Sequence, residues 1–155
     1  MIRTKKRSWW IALIGLVVLT GLALAQSKSD FERAARESGC GLIPYESLTS
    51  KCRYAYRLKG EWCTGDRKSG CASLSKDQKD EARKRRDNAV ECLKYQEEVR
   101  DTYKEALEKL DRETQDDVKP FVDEIIKKIK EEQPGHFNDI EQTKNRRDNC
   151  NELLQ

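Results

Sequence analysis

Hydrophobic residues recur at intervals of three and four beyond residue 26, which is the spacing of one face of an α-helix. This pattern predicts a short helix over 30–38, with Asp30 as its N-cap, and a second helix over about 44–63 that begins at Pro44. The apolar stripe of the second helix consists of Tyr45, Leu48, Cys52, Ala55, Tyr56 and Cys63. Such a stripe indicates a helix that packs one face against a core.

A long, highly charged helix is predicted after a loop over 64–74 that is rich in Gly, Ser and Lys. Ser75 and Gln78 have the spacing of a capping box, and neither Gly nor Pro occurs again before Pro120. The narrow apolar seam of this helix consists of Ala89, Leu93, Val99, Tyr103, Ala106 and Leu110. A seam of this width packs against one or two partner helices, as in a hairpin or a coiled coil.

A chain reversal is expected near Asp116 and Asp117, because a residue before proline is disfavoured in the helical region and Pro120 suits a first helical turn. The helix after it carries Val118, Phe121, Val122, Ile125, Ile126 and Ile129. Residues 133–135 read Gln-Pro-Gly and predict a turn, with a last helix from Asn138. The fold class is therefore an all-α, disulfide-stapled bundle of about five helices.

The first 25 residues have the layout of a secretory signal peptide. A basic start precedes an apolar run without acids, and Ala23 and Ala25 form an Ala-x-Ala cleavage site. The alternative is an uncleaved membrane anchor, since the run of about 17 residues lies at the lower limit for spanning a bilayer. We expect 1–25 to be removed and 26–155 to form one helical domain, with a Cys-rich half over 26–93 and a long-helix half over 94–155.

Removal of the signal peptide changes the charge. Four of the 31 basic residues lie in it and none of the 28 acidic ones, which leaves 27 basic and 28 acidic residues. Within 83–86 and 127–130 the basic residues are interleaved with acids, so no one-sided basic stripe for nucleic acid is present. Only 40 apolar residues remain in 130, which makes a thin core.

Six cysteines, all beyond residue 25, predict three disulfides in an oxidising compartment, the periplasm or the cell exterior. They are Cys40, Cys52, Cys63, Cys71, Cys92 and Cys150. Zinc ligation and thiol chemistry are the rival interpretations, but the sequence has no C-x-x-C and a single histidine. Disulfides also supply stability that so small a hydrophobic core does not provide.

Fifteen pairings of six cysteines are possible, and helical geometry reduces them. Cys52 and Cys63 lie eleven residues apart on one helix, about 16 Å along its axis, and therefore cannot pair. A bond between Cys63 and Cys71 closes the loop, antiparallel helices then bring Cys52 level with Cys92, and Cys40 is left for Cys150. These pairings are expectations, and other connectivities stay open.

Catalytic and cofactor motifs are missing from the sequence. It contains no G-x-S-x-G, H-E-x-x-H, phosphate-binding glycine pattern or calcium loop, and His136, the only histidine, is expected to be solvated in a turn. Carboxylate catalysis stays open, although nearly all acids alternate with Lys and Arg as on solvated helix faces. We expect no enzyme activity, no cofactor and no metal.

The clearest functional signal is a second apolar line on the second helix, formed by Tyr54, Leu58 and Trp62 at four-residue spacing. Trp and Tyr concentrate binding energy at protein interfaces. We therefore expect an exported protein-interaction or inhibitor-like module with an unknown protein partner. The opposing interpretation is that the first helix covers this line of residues.

The alternative function is that of a membrane-tethered or self-associating structural protein whose long helix pairs between chains. Contact with a membrane is expected only if 1–25 are retained.

Overall fold

The computed structural model describes residues 26–64 and 70–155, which form four α-helices, one short 3₁₀ helix and no strand. The α-helices are α1 (Lys28–Arg36), α2 (Glu46–Trp62), α3 (Lys79–Leu110) and α4 (Lys119–Leu154), and the 3₁₀ helix is Gly39–Leu42. The all-α prediction is confirmed, with four helices instead of about five. The predicted signal peptide, 1–25, lies outside the described residues.

The helix α1 is short and is fixed at both ends. At its start, the backbone N–H of Ser27 donates to Asp30 Oδ2 (3.1 Å), and the hydrogen bonds from Ser27 hold the pKa of Asp30 below its usual value. At its end, Lys128 Nζ from α4 donates to the carbonyl oxygen of Ala35 (2.6 Å). Phe31 is fully buried, and α1 packs mainly against α4 and the 3₁₀ helix.

The two long helices, α3 and α4, form an antiparallel hairpin. Their pairing is shown by contacts at two levels: the Tyr103 hydroxyl donates to Glu132 Oε2 (3.2 Å), and Cys92 Sγ lies 3.8 Å from Thr143 Oγ1. The chain reverses over 111–118, where Val118 is buried and is followed by Pro120 in the first turn of α4. The predicted reversal near Asp116 and Asp117 is therefore confirmed.

The predicted turn at 133–135 and the separate last helix from Asn138 are wrong, because α4 continues through Pro134. Ile125 and Ile129 before the proline and Ile140 after it are all buried, so packing on both sides holds the segment in one helix. Pro134 is exposed, on the outer side of the hairpin. This continuity is why the structure has four helices.

The six cysteines form three disulfides, as predicted, but the expected pairings are wrong. The observed bonds are Cys40–Cys52, Cys63–Cys92 and Cys71–Cys150. The reason is the register of α2 against α3. The end of α2 is level with Cys92, so the first 13 residues of α3 extend about 20 Å beyond it. Residues 70 and 71 lie beside this extension, where Arg85 Nη1 donates to the Gly70 carbonyl oxygen (2.9 Å) and Cys71 bonds to Cys150.

Most of the buried apolar residues belong to two separate clusters. The main cluster runs from Phe31 in α1 to Ile129 in α4 and takes residues from both 26–93 and 94–155. The distal cluster, at the far end of the hairpin, contains only Cys71, Ala82 and Cys150, with Leu74, Leu153 and Leu154 packed against it. The distal end of the hairpin therefore has little apolar packing besides its disulfide.

Candidate functional site

The aromatic line, defined as Tyr54, Leu58 and Trp62, lies on the outer side of α2. The Tyr54 side chain is 53% exposed, and Leu58 and Trp62 are partly exposed. The core-facing residues of α2 are on the neighbouring face, where Leu48, Cys52 and Ala55 are buried. Because α1 packs mainly against α4 and the 3₁₀ helix, it does not bury Tyr54, contrary to the opposing interpretation.

Two basic side chains border the aromatic line. The Arg57 guanidinium lies 5.5 Å from the centroid of the Tyr54 ring, a cation–π contact, and Lys51 is exposed on the same side of α2. Helical spacing places one acidic residue, Glu61, on this side as well. This side of α2 is therefore aromatic, with a small excess of positive charge.

A cleft of about 630 Å³ lies on the other side of α2, between this helix and the second half of α4. Lys59 and Gly60 line it from α2, and Asp139 and Arg146 line it from α4. Lys59 Nζ is 2.9 Å from Asp139 Oδ2, and the Lys59 side chain is only 17% exposed. This ion pair connects α2 to α4 across the cleft and puts charges of both signs on its walls.

Gln96 of α3 also lines the cleft, and it is the residue that sequence reasoning missed. Its side chain is 5% exposed, and Gln96 Oε1 has no hydrogen-bond partner among the described residues. A buried acceptor without a donor costs about 1–3 kcal/mol. Its position in the sequence could have identified it, because Gln96 lies three residues from both Leu93 and Val99, in the middle of the apolar seam.

His136 is half-buried within α4, so the expected solvated turn histidine is wrong. Its ring stacks on Tyr103 (centroids 5.4 Å apart) and meets the Tyr56 ring edge-on at 5.9 Å. Burial and the nearby Lys59 ammonium lower the pKa of His136, against opposing effects of Glu132 and Asp139. Burial also raises the pKa values of Tyr56 and Tyr103, so this cluster favours neutral rings.

The free energy of unfolding should therefore fall as the pH falls from 7.5 to 5.5. Since the pKa of His136 is lower in the folded chain than its ordinary 6.5, the unfolded chain takes up the proton first, and stability is lost as the pH falls through 6.5. Melting temperatures of the wild type and His136→Gln across this range test the effect. An identical pH dependence of the two proteins would contradict it.

Neither a metal centre nor a membrane-spanning helix is found in the part of the chain that the structure describes. It contains no group of three or more His, Cys, Asp or Glu side chains placed to share a metal ion. None of the described helices is long and apolar enough to cross a bilayer. The chain matches no protein-family model, and no curated protein or solved structure matches it.

Proposed function

We propose that this protein is an exported, non-enzymatic binding module that recognises another protein through the aromatic line on α2. The observation that carries the proposal is the exposure of Tyr54 beside Arg57, on a helix whose opposite side is fixed by two disulfides. Tyr, Trp and Arg are the residues most enriched at the energetic centres of interfaces. A rigid platform lowers the entropy lost on binding.

The surroundings of the aromatic line indicate the chemistry of the partner. Lys51 and Arg57 outnumber Glu61 along its borders, so we expect a partner surface with acidic side chains around an apolar centre. Complementary charge speeds association and makes the rate sensitive to salt. An acidic helix or loop that presents one or two apolar side chains meets these requirements.

Export is proposed from the signal-peptide pattern, and the three disulfides support an oxidising compartment, the periplasm or the cell exterior. The second candidate, a self-associating protein whose long helix pairs between chains, has less support. The seam of α3 is already buried within one chain, where Val99, Tyr103 and Leu110 are at most 1% exposed. The mass in solution at increasing concentration, measured by light scattering, separates the two candidates.

Replacement of the aromatic line should abolish partner binding. The partner is first cross-linked in the source cells and identified, and its dissociation constant is then measured with purified proteins. We expect Tyr54→Ala and Trp62→Ala each to raise this constant by about 30-fold, the effect of losing roughly 2 kcal/mol at a binding hot spot. Arg57→Glu should mainly slow association and weaken its dependence on salt.

Val90 supplies the matched control, because it is 45% exposed on α3 and Val90→Ala removes a comparable exposed apolar side chain elsewhere. The fluorescence of Trp62, the only tryptophan beyond residue 25, gives a direct readout: acrylamide should quench it in the free protein and much less in the complex. Equal binding by Tyr54→Ala and the wild type, or quenching unchanged by the partner, would refute this use of α2.

A further inference from the structure

We propose that the Cys63–Cys92 disulfide is a reducible latch on the end of α2, and that its reduction by a dithiol lowers the affinity of the aromatic line. This regulation rests on the proposed function, because Leu58 and Trp62 of the aromatic line lie on the part of the helix that the bond holds. Three observations carry the inference: the packing of this part of α2, its contacts with the hairpin, and the surroundings of the bond.

The terminal half of α2, residues 56–62, is not anchored by buried side chains. The first half of the helix contains four buried residues, whereas none of residues 56–62 is buried. The space between the terminal half and α4 is the cleft of about 630 Å³. Because helices in proteins are stabilised mainly by the packing of one face, the terminal half depends on contacts of other kinds.

The disulfide is the strongest of the contacts that connect the terminal half of α2 to the hairpin. The ring of His136 meets a tyrosine of this half edge-on, and Lys59 Nζ lies 2.9 Å from Asp139 Oδ2. Since the Asp139 side chain is about half exposed, water weakens this ion pair. The covalent bond from Cys63, directly after the last helical residue, to Cys92 is therefore the main restraint.

The three disulfides differ in their surroundings. The main cluster, the distal cluster and neither cluster contain, respectively, Cys40–Cys52, Cys71–Cys150 and Cys63–Cys92. A disulfide resists reduction better when the folded chain keeps its two thiols close together after reduction. Apolar neighbours do this for the first two pairs, and the hydrogen bond from Arg85 to Gly70 also holds the residue before Cys71. The reduced terminal half of α2 can move away, so Cys63–Cys92 should open first.

The chemistry is a two-electron exchange with a dithiol. Cys63 lines the cleft and Cys92 is 1% exposed, so a thiolate of the reductant attacks Cys63 Sγ and the Cys92 thiolate leaves. The second thiol of the reductant then attacks the mixed disulfide and releases Cys63. The reductant ends as a disulfide, and each cysteine has gained one electron and one proton. The oxidised dithiol reverses the reaction and closes the latch.

Stepwise reduction with dithiothreitol tests the order of opening. The oxidised protein is equilibrated with mixtures of reduced and oxidised dithiothreitol, free thiols are alkylated, and mass spectrometry of peptides identifies the reduced pair. We expect Cys63 and Cys92 to become labelled at a ratio of reduced to oxidised dithiothreitol about tenfold lower than the other four cysteines require. Labelling of either other pair first would overturn the proposal.

The open latch is reproduced by Cys63→Ala with Cys92→Ala. Backbone amides over 57–62 should exchange with solvent at least about tenfold faster in this variant, while amides of the main cluster keep their protection, which shows that the fold is retained. The matched control is Cys40→Ala with Cys52→Ala, which removes the other disulfide of α2 and should leave exchange over 57–62 close to that of the wild type. Wild-type exchange over 57–62 in the open-latch variant would contradict the proposal.

The protein partner captured through the aromatic line then tests the regulation. The open-latch variant should raise the dissociation constant about tenfold, because only about a tenth of its molecules hold Leu58 and Trp62 in the binding arrangement. Reduced wild type should bind equally weakly, and reoxidation should restore its affinity. Equal affinity of the open-latch variant and the wild type would overturn the regulation. Normal binding by Tyr54→Ala would instead refute the aromatic line and with it the regulation, whereas the order of reduction and the amide exchange still test the latch.

Discussion

Replacing Cys71 and Cys150 together by alanine is expected to lower the free energy of unfolding by about 4.5 kcal/mol, the largest loss for any of the three disulfides. This bond joins residues 79 positions apart, and the entropy that a cross-link removes from the unfolded chain grows with the length of the closed loop. The melting temperature should fall by roughly 15–20 °C. Chemical denaturation and calorimetry measure both quantities.

The loss should be concentrated at the distal end of the hairpin. The hydrophobic cluster there has only three buried members among the described residues, two of them the cysteines themselves, so backbone amides near Ala82 and Leu153 should exchange with solvent much faster in the variant. The control is Cys40→Ala with Cys52→Ala, which opens a loop of 12 and should cost only about 2.8 kcal/mol. Unchanged amide exchange at the distal end would contradict this assignment of the bond.

Pro134→Ala is expected to stabilise the protein by about 3 kcal/mol, the usual penalty of a proline inside a helix. Because α4 runs through this position, alanine restores the N–H that the Lys130 carbonyl oxygen lacks and removes the clash with the proline ring. The side chain is exposed, so nothing packed is lost. The melting temperature should rise by roughly 10 °C.

Gly135→Ala provides the companion variant. A Cβ at this position meets no atom within 4 Å, so alanine should add about 0.5–1 kcal/mol through helix propensity alone. If residues 133–135 formed a turn instead, neither substitution would raise the melting temperature, and Gly135→Ala would lower it wherever the turn required a positive φ.

Local sequence signals predicted the parts of the fold that depend on neighbouring residues. The spacing of Leu48, Cys52 and Ala55 identified the buried face of α2, and Pro120 marked the reversal before α4. The same signals failed at Pro134, where Pro-Gly normally ends a helix. Burial of Ile125 and Ile129 on one side of the proline and of Ile140 on the other outweighs that local preference. These residues are buried by packing against other helices, which the residues around Pro134 do not reveal.

The disulfide pairings were beyond prediction for a different reason. Fifteen residues separate Cys63 from Lys79, and a connection of that length either closes as a wide loop or lies along the next helix. The first choice starts α3 level with the end of α2, and the second makes the end of α2 level with Cys92. Sequence patterns do not distinguish these choices, since both bury the same apolar stripes.

The two candidate sites differ in the same respect: one depends on neighbouring residues and the other on how the helices pack. The aromatic line is a pattern within one helix, so the spacing of Tyr54, Leu58 and Trp62 revealed it directly. The cleft is assembled from three helices, and it depends on the register that brings Gln96 to the same cleft as Lys59 and Asp139. A polar residue in an apolar seam was the visible trace of this site, but its surroundings followed only from the packing.

The three disulfides also differ in when they can form, because the chain emerges with its N-terminus first. Cys40 and Cys52 come out close together and can join at once, whereas Cys71 has to wait until 79 further residues have appeared. During this interval its nearest earlier thiol is Cys63, only eight residues away, whose own partner, Cys92, also emerges later. Oxidation in order of appearance would join Cys63 to Cys71, a bond that thiol–disulfide exchange must then undo before the hairpin can close.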